Sequence, residues 1–133
     1  MEHLHLEGTP KHPTIDFNAD TGMLEIKGRS WPEHATNVYQ PVFDWLAGYF
    51  KNPKDETVVK VSLEYFNTSS SKVILDIFKQ LEEYIGQGHN VKCEWYYEND
   101  DYDLLEQGEI FQEITKVPLE LIGIEEFGFT FVP

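Results

Sequence analysis

Residues 67–72 read Asn-Thr-Ser-Ser-Ser-Lys, four hydroxyls in succession behind one amide. They stand where an alternating run, VVKVSLEYF, gives way to an amphipathic one, VILDIFKQLEEYI. A strand therefore meets a helix at this point. The first turn of a helix has N–H groups without intrahelical partners, and its dipole favours negative charge. A phosphate attached to a hydroxyl there would be stabilised by those donors. Asn, Ser and Thr are also the favoured helix caps, each worth about 1 kcal/mol. One cap needs one such residue, and here five follow one another. Two readings stand, a cap and a functional hydroxyl.

A second constellation is the stretch EWYYENDDYDLLEQGEIFQE, residues 94–113, with eight acids and no base. A calcium loop beginning at Asn99, with Asp101 and Asp103 as its next ligands, would place Leu104 where glycine is needed and Ile110 where glutamate is needed. That reading fails. A solvated acidic face and a docking surface for a basic partner remain, the latter resting on Glu98, Asp100, Asp101 and Asp103. These aspartates also suit a helix N-terminus. His3, His5 and His12 fall in an N-terminal lead-in, His34 and His89 are isolated, and no metal site is expected. No Gly-x-Ser-x-Gly elbow, nucleophile–base pair or glycine-rich phosphate loop occurs, so no catalytic activity and no cofactor are expected.

The elements that must carry these residues follow from periodicity. TIDFNADTGMLEIKG reads as a hairpin around Asp20-Thr21-Gly22. Val38, Val42, Trp45, Leu46 and Tyr49 mark a first helix, with Asn37 as its cap and Pro41 in its first turn. Residues 57–66 alternate as a strand that sends Val59, Val61, Leu63 and Tyr65 to one side. A second helix runs from about 69 to 85 and stops at Gly86-Gln87-Gly88. VKCEWYYE is the next strand, a third helix spans about 101–116 with Leu104, Leu105, Phe111 and Ile114 as its apolar face, and LELIGI is a last strand.

The order β-β-α-β-α-β-α-β implies parallel pairing through right-handed crossovers. Strands covered on both faces read as continuous apolar runs, whereas these alternate. The expected fold is therefore α/β: one domain with a mixed sheet of about five strands, three helices mainly on one face and a wetter second face. Residues 1–12 are expected to be a flexible lead-in, 13–126 the domain, and 127–133 a short apolar tail.

Composition bounds the rest. A chain of 133 residues with 41% hydrophobic residues suits one packed domain. A formal charge of −14 disfavours binding to nucleic acid or to an anionic membrane. The single cysteine, Cys93, excludes an internal disulfide and reads as a buried thiol. The acidic, histidine-bearing N-terminus is not expected to act as a signal peptide, and no apolar run approaches the about 20 residues of a membrane span. A cytoplasmic location is expected.

Several segments together resemble the SiaC family of small bacterial phosphoproteins, which share the STAS-like topology of anti-sigma-factor antagonists. They are FNADTGMLEIKGRSWPE (17–33), YQPVFDWL (39–46), LEYFNTSSSK (63–72), VKCEWYYENDD (91–101) and EQGEIF (106–111), in family order over roughly residues 10–125. The resemblance implies a regulator switched by phosphorylation. It assigns the phosphoacceptor to Thr68, with Asn67, Ser69 and Ser70 as motif neighbours. It implies three partners: a protein kinase of the histidine-kinase-like ATPase type, a PP2C-type phosphatase, and an effector bound by the unphosphorylated form. In family members that effector is a diguanylate cyclase, in biofilm regulation and c-di-GMP signalling. The alternative is a constitutive adaptor or ligand-binding STAS-like domain indifferent to phosphorylation.

Overall fold

The computed structural model describes residues 1–128, so the tail expected at 127–133 lies mostly outside the described residues. Nine elements follow in order: β1 (Leu4–Leu6), β2 (Thr14–Asn18), β3 (Met23–Ser30), α1 (Ala35–Tyr49), β4 (Thr57–Phe66), α2 (Thr68–Gly86), β5 (Val91–Glu98), α3 (Tyr102–Ile114) and β6 (Leu119–Ile124). The six strands form one sheet in sequence order. β1–β2 and β2–β3 pair antiparallel, while β3–β4, β4–β5 and β5–β6 pair parallel. Three right-handed crossovers that all step in the same direction must place α1, α2 and α3 on the same face.

The register shows both faces. Phe17, Leu24, Val59, Cys93 and Leu119 sit side by side across five strands and are buried under the helices. One residue further along each parallel strand, Glu25, Lys60, Glu94 and Glu120 form a polar row on the uncovered face, continued by Asp16 on β2. From the helices, Tyr39, Val42 and Leu46 of α1, Ile74, Ile77, Phe78 and Leu81 of α2, and Leu104 and Phe111 of α3 close the core. Its aromatic centre is Trp95, edge-on to Phe111 at 5.4 Å and to Phe66 at 5.9 Å, with its indole N–H donating to the Leu104 carbonyl at 3.0 Å. Cys93 is fully buried, and desolvation pushes its thiol far above the ordinary range.

Four departures from the expected pattern have local causes. The lead-in carries an edge strand: Leu4 and Leu6 pack on the core, and the Trp45 indole donates to the Glu2 carbonyl at 2.8 Å. Helix α1 begins at Ala35, after His34, which makes no side-chain cap bond; Asn37 is inside the helix and Pro41 is beyond its first turn. The register of β3 and β4 shifts between Gly28 and Arg29, so that Gly28 faces Leu63 and Arg29 faces Tyr65. Gly28 takes φ 107° there, a value that suits glycine. This irregularity reverses the last alternation of β4. Tyr65 turns outward, 54% exposed, and Phe66 turns in against Trp95. Finally, Ile114 of α3 is 53% exposed rather than part of the helix's buried face, which Leu104 and Phe111 supply.

Candidate functional site

Adjacent parallel strands end on the same rim, and each hands the chain to a helix there. β4 leads into α2 and β5 into α3, so the N-termini of the two helices lie side by side. Between them is an open cleft of about 430 Å³, lined by Glu64, Tyr65, Phe66, Asn67, Thr68, Ser71, Asp101, Asp103, Leu104 and Gln107. The structure thus brings the hydroxyl segment and part of the acidic stretch into one site.

The four hydroxyls of residues 68–71 have different fates. Asn67 is the cap of α2: its Oδ1 accepts from the Ser70 N–H at 3.0 Å and from the Ser69 hydroxyl at 3.3 Å. Its Nδ2 donates to the Pro32 carbonyl at 3.0 Å, and its backbone N–H to the Ser30 carbonyl at 2.9 Å. Ser70 is wholly buried, with its Oγ 2.8 Å from the Ser30 Oγ. Ser71 is half-buried at the cleft wall. Thr68, the first residue of α2, is exposed, and its hydroxyl has no hydrogen-bond partner among the described residues. The cap is therefore Asn67, and the threonine beside it is left over by the requirements of the fold.

The acidic residues divide in a similar way. Asp101 caps α3, its Oδ1 accepting from the Leu104 N–H at 3.1 Å. Glu98 is half-buried and its Oε2 accepts from the Phe127 N–H at 3.0 Å. Asp100 and Asp103 are exposed, and with Glu98, Asp101 and Tyr102 they line a shallow depression of about 370 Å³. Glu64 of the main cleft is held by Arg29, Nη2 to Oε1 at 3.1 Å. None of the described residues lining either depression is a lysine or arginine. Among the described residues no three His, Cys, Asp or Glu side chains are grouped to hold a metal ion. His3 pairs with Asp16, and His5 with Glu7 at 3.3 Å.

A family model described as SiaC family regulatory phosphoprotein matches residues 6–124. This chain belongs to the SiaC family. The crystal structure of apo-SiaC from Pseudomonas aeruginosa superposes with a TM-score of 0.85 at 31% identity, over 92% of this chain and 100% of that one. SiaC as solved with the diguanylate cyclase SiaD, whose activator that structure names it, gives the same TM-score of 0.85 at 30% identity, over 91% of this chain and 99% of the other. An uncharacterized protein of Pseudomonas aeruginosa strain UCBPP-PA14 is 30% identical over 126 residues, 95% of this chain and 100% of its own length. The fold and the family inferred from the sequence motifs are thus both shown. No helix among the described residues is long and apolar enough to cross a membrane.

Sequence reasoning missed Glu64, Tyr65, Phe66, Leu104 and Gln107 as cleft residues, because it could not show that the ends of β4 and β5 meet. It also missed Ser30 and Tyr39. Ser30 had a signal: on β3 it falls in the inward series Leu24, Ile26, Gly28, Ser30, where a polar side chain needs a partner.

Proposed function

We propose that this chain is a non-catalytic signalling protein whose Thr68 accepts a phosphate, and whose unphosphorylated form binds and activates an effector. The observation that carries the reading is the state of Thr68: exposed, without a hydroxyl partner, and first in a helix whose cap is already filled by Asn67. Its neighbours Ser69 and Ser70 are engaged, one on Asn67 and one in the interior. Family membership supports a modifiable hydroxyl at this motif. A kinase of the histidine-kinase-like ATPase type would add the phosphate and a PP2C-type phosphatase would remove it. The complex of the related SiaC with SiaD supports a diguanylate cyclase as the effector.

The direction of the switch follows from solvation. A partner seated over the cleft must desolvate residue 68. A bare threonine can be covered at modest cost, whereas a phosphate of about −2 charge needs a matching cation, and the cleft walls supply Asp101 and Asp103 instead. The phosphorylated form is therefore excluded, with little change in the backbone. Basic groups of the partner would be matched by these carboxylates, leaving none to neutralise a phosphate, with Asp100 and Asp103 the most exposed contributors and Glu98 and Asp101 partly committed to internal bonds. The test is calorimetric titration of a diguanylate cyclase from the same genome with unmodified and Thr68-phosphorylated protein. Phosphorylation should weaken binding at least about a hundredfold, about 3 kcal/mol. Equal affinities would support the constitutive adaptor instead, and tighter binding of the phosphoprotein would reverse the switch.

A further inference from the structure

Three buried hydroxyls run in a line beneath the site. The Tyr39 phenol of α1 donates to the Ser30 Oγ at 2.7 Å, and the Ser30 Oγ lies 2.8 Å from the Ser70 Oγ. All three residues have no exposed surface. Burial pushes the Tyr39 phenol well above its ordinary range, so it stays a donor at any physiological pH. With Tyr39 donating, the Ser30 oxygen accepts one bond, and between Ser30 and Ser70 either hydroxyl can donate. An apolar trio would have filled this space without three polar groups to satisfy, so the line calls for an explanation.

Its geometry supplies one. The same strand end holds the same turn through two further bonds: Asn67 N–H to the Ser30 carbonyl and Asn67 Nδ2 to the Pro32 carbonyl. Residues 67 and 70 are thus tied down on either side of 68 and 69, which are the two that face solvent. We infer that the Tyr39–Ser30–Ser70 chain is a positioning device: it anchors the first turn of α2 to the end of β3, withdraws Ser70 inward, and holds Asn67 where it accepts from the exposed Ser69 hydroxyl, leaving Thr68 as the outward hydroxyl with no bond of its own to present to a kinase. This rests on the phosphoacceptor reading of Thr68 and adds the means by which one hydroxyl among four is selected. Tyr39, a turn into α1 and on the far side of Ser30, then acts on the modification without touching it.

Tyr39→Phe removes one oxygen from a ring that otherwise keeps its packing, and Ser30→Ala breaks the chain at its middle. Two measurements apply to both variants. The first needs no kinase: amide hydrogen exchange in the intact protein. The amides of Asn67, bonded to the Ser30 carbonyl, and of Ser70 and Ser71, bonded to Asn67, should exchange about tenfold faster, while Leu104 and Leu105 at the start of α3 keep their rates. The second is mass-spectrometric mapping of phosphate after incubation with the kinase that modifies the unaltered chain. Unaltered protein should carry phosphate at Thr68 alone, and the variants should carry it also at Ser69 or Ser70. Unchanged exchange would overturn the anchor. Faster exchange with phosphate still confined to Thr68 would show a stabilising contact without a selective role, and would overturn the positioning claim. If the unaltered chain took up no phosphate, the function proposed above would fail, and the exchange result alone would decide the anchor. Should Tyr39→Phe not fold, Ser30→Ala and Ser70→Ala carry the same test.

Discussion

Asn67 and Thr68 are neighbours whose substitution should have opposite consequences. Asn67→Ala removes the acceptor of the Ser70 N–H, a cap worth about 1 kcal/mol. It also removes the donor to the Pro32 carbonyl, and leaving a half-buried carbonyl without its partner costs about 1 kcal/mol more. The loss should total about 2 kcal/mol. For a domain of 133 residues, 1 kcal/mol moves Tm by about 4 °C, so Tm should fall by about 8 °C. Thr68→Ala removes a hydroxyl with no partner and leaves the Asn67 cap intact, so stability should change by no more than about 0.5 kcal/mol, or about 2 °C. Phosphate uptake should show the reverse. Thr68→Ala should take up none, whereas Asn67→Ala keeps its acceptor and should still be modified below its lowered Tm. Circular dichroism melts and intact mass after kinase treatment measure the two halves. A Thr68→Ala protein as unstable as Asn67→Ala would refute the argument, because the threonine would then be holding the turn rather than being spared by it.

Two further variants, one of them double, test other parts of the structure. Changing Asp100 and Asp103 to Asn should slow association with a basic partner and flatten its salt dependence, since exposed charges act mainly on association rate and are screened beyond about 8 Å at physiological salt; kinetics that stay the same across a salt series would mark this face as solvated only. Gly108→Ala should destabilise by about 1–3 kcal/mol in denaturant melts, because a Cβ there would stand 2.7 Å from the Trp95 ring and 2.8 Å from Leu121; a neutral result would mean that α3 can shift away from β5 at no cost.

Strands β4 and β5 were legible because alternation has a period of two and both runs are long: 57–66 and 91–98 stand where the pattern puts them. The single-faced helix layer was legible too, since alternating parallel strands exclude cover on both faces. Tyr65 was not. Simple alternation sends it inward with Leu63, but the register shift opposite Gly28 turns it out, and an irregularity between strands far apart in sequence leaves no mark on local periodicity. β1 was missed because three residues, Leu-His-Leu, are too few to show a period, and their stability comes from pairing with β2. At the site, the motif pointed to the turn between β4 and α2, yet the differences among Thr68, Ser69 and Ser70 depend on Ser30 and Pro32, more than thirty residues away. The acidic stretch hid a similar division, since only the fold shows Asp101 spent on a cap and Asp103 facing the cleft.

The meeting of two helix N-termini at one cleft gives the hydroxyl segment its electrical setting. The dipole of each helix favours an anion in its first turn, by about 0.3–1 kcal/mol. α3 already has its anions, Asp101 at the cap and Asp103 in the first turn. α2 has none: its cap is the neutral Asn67 and its first turn holds no acid. Of the two ends that line the cleft, one is complemented by the sequence and the other is left open at the residue whose hydroxyl is unpartnered. A phosphate on Thr68 would supply the missing charge to α2, and it would do so facing the carboxylates of α3. The gain at its own helix and the repulsion across the cleft act in opposite directions on the folded chain, so modification need not reshape the backbone. On a partner only the added charge counts, because the cleft would then present a dianion beside two carboxylates to whatever must be desolvated against it. A switch built in this way would change what can bind while leaving the protein that bears it nearly as stable as before.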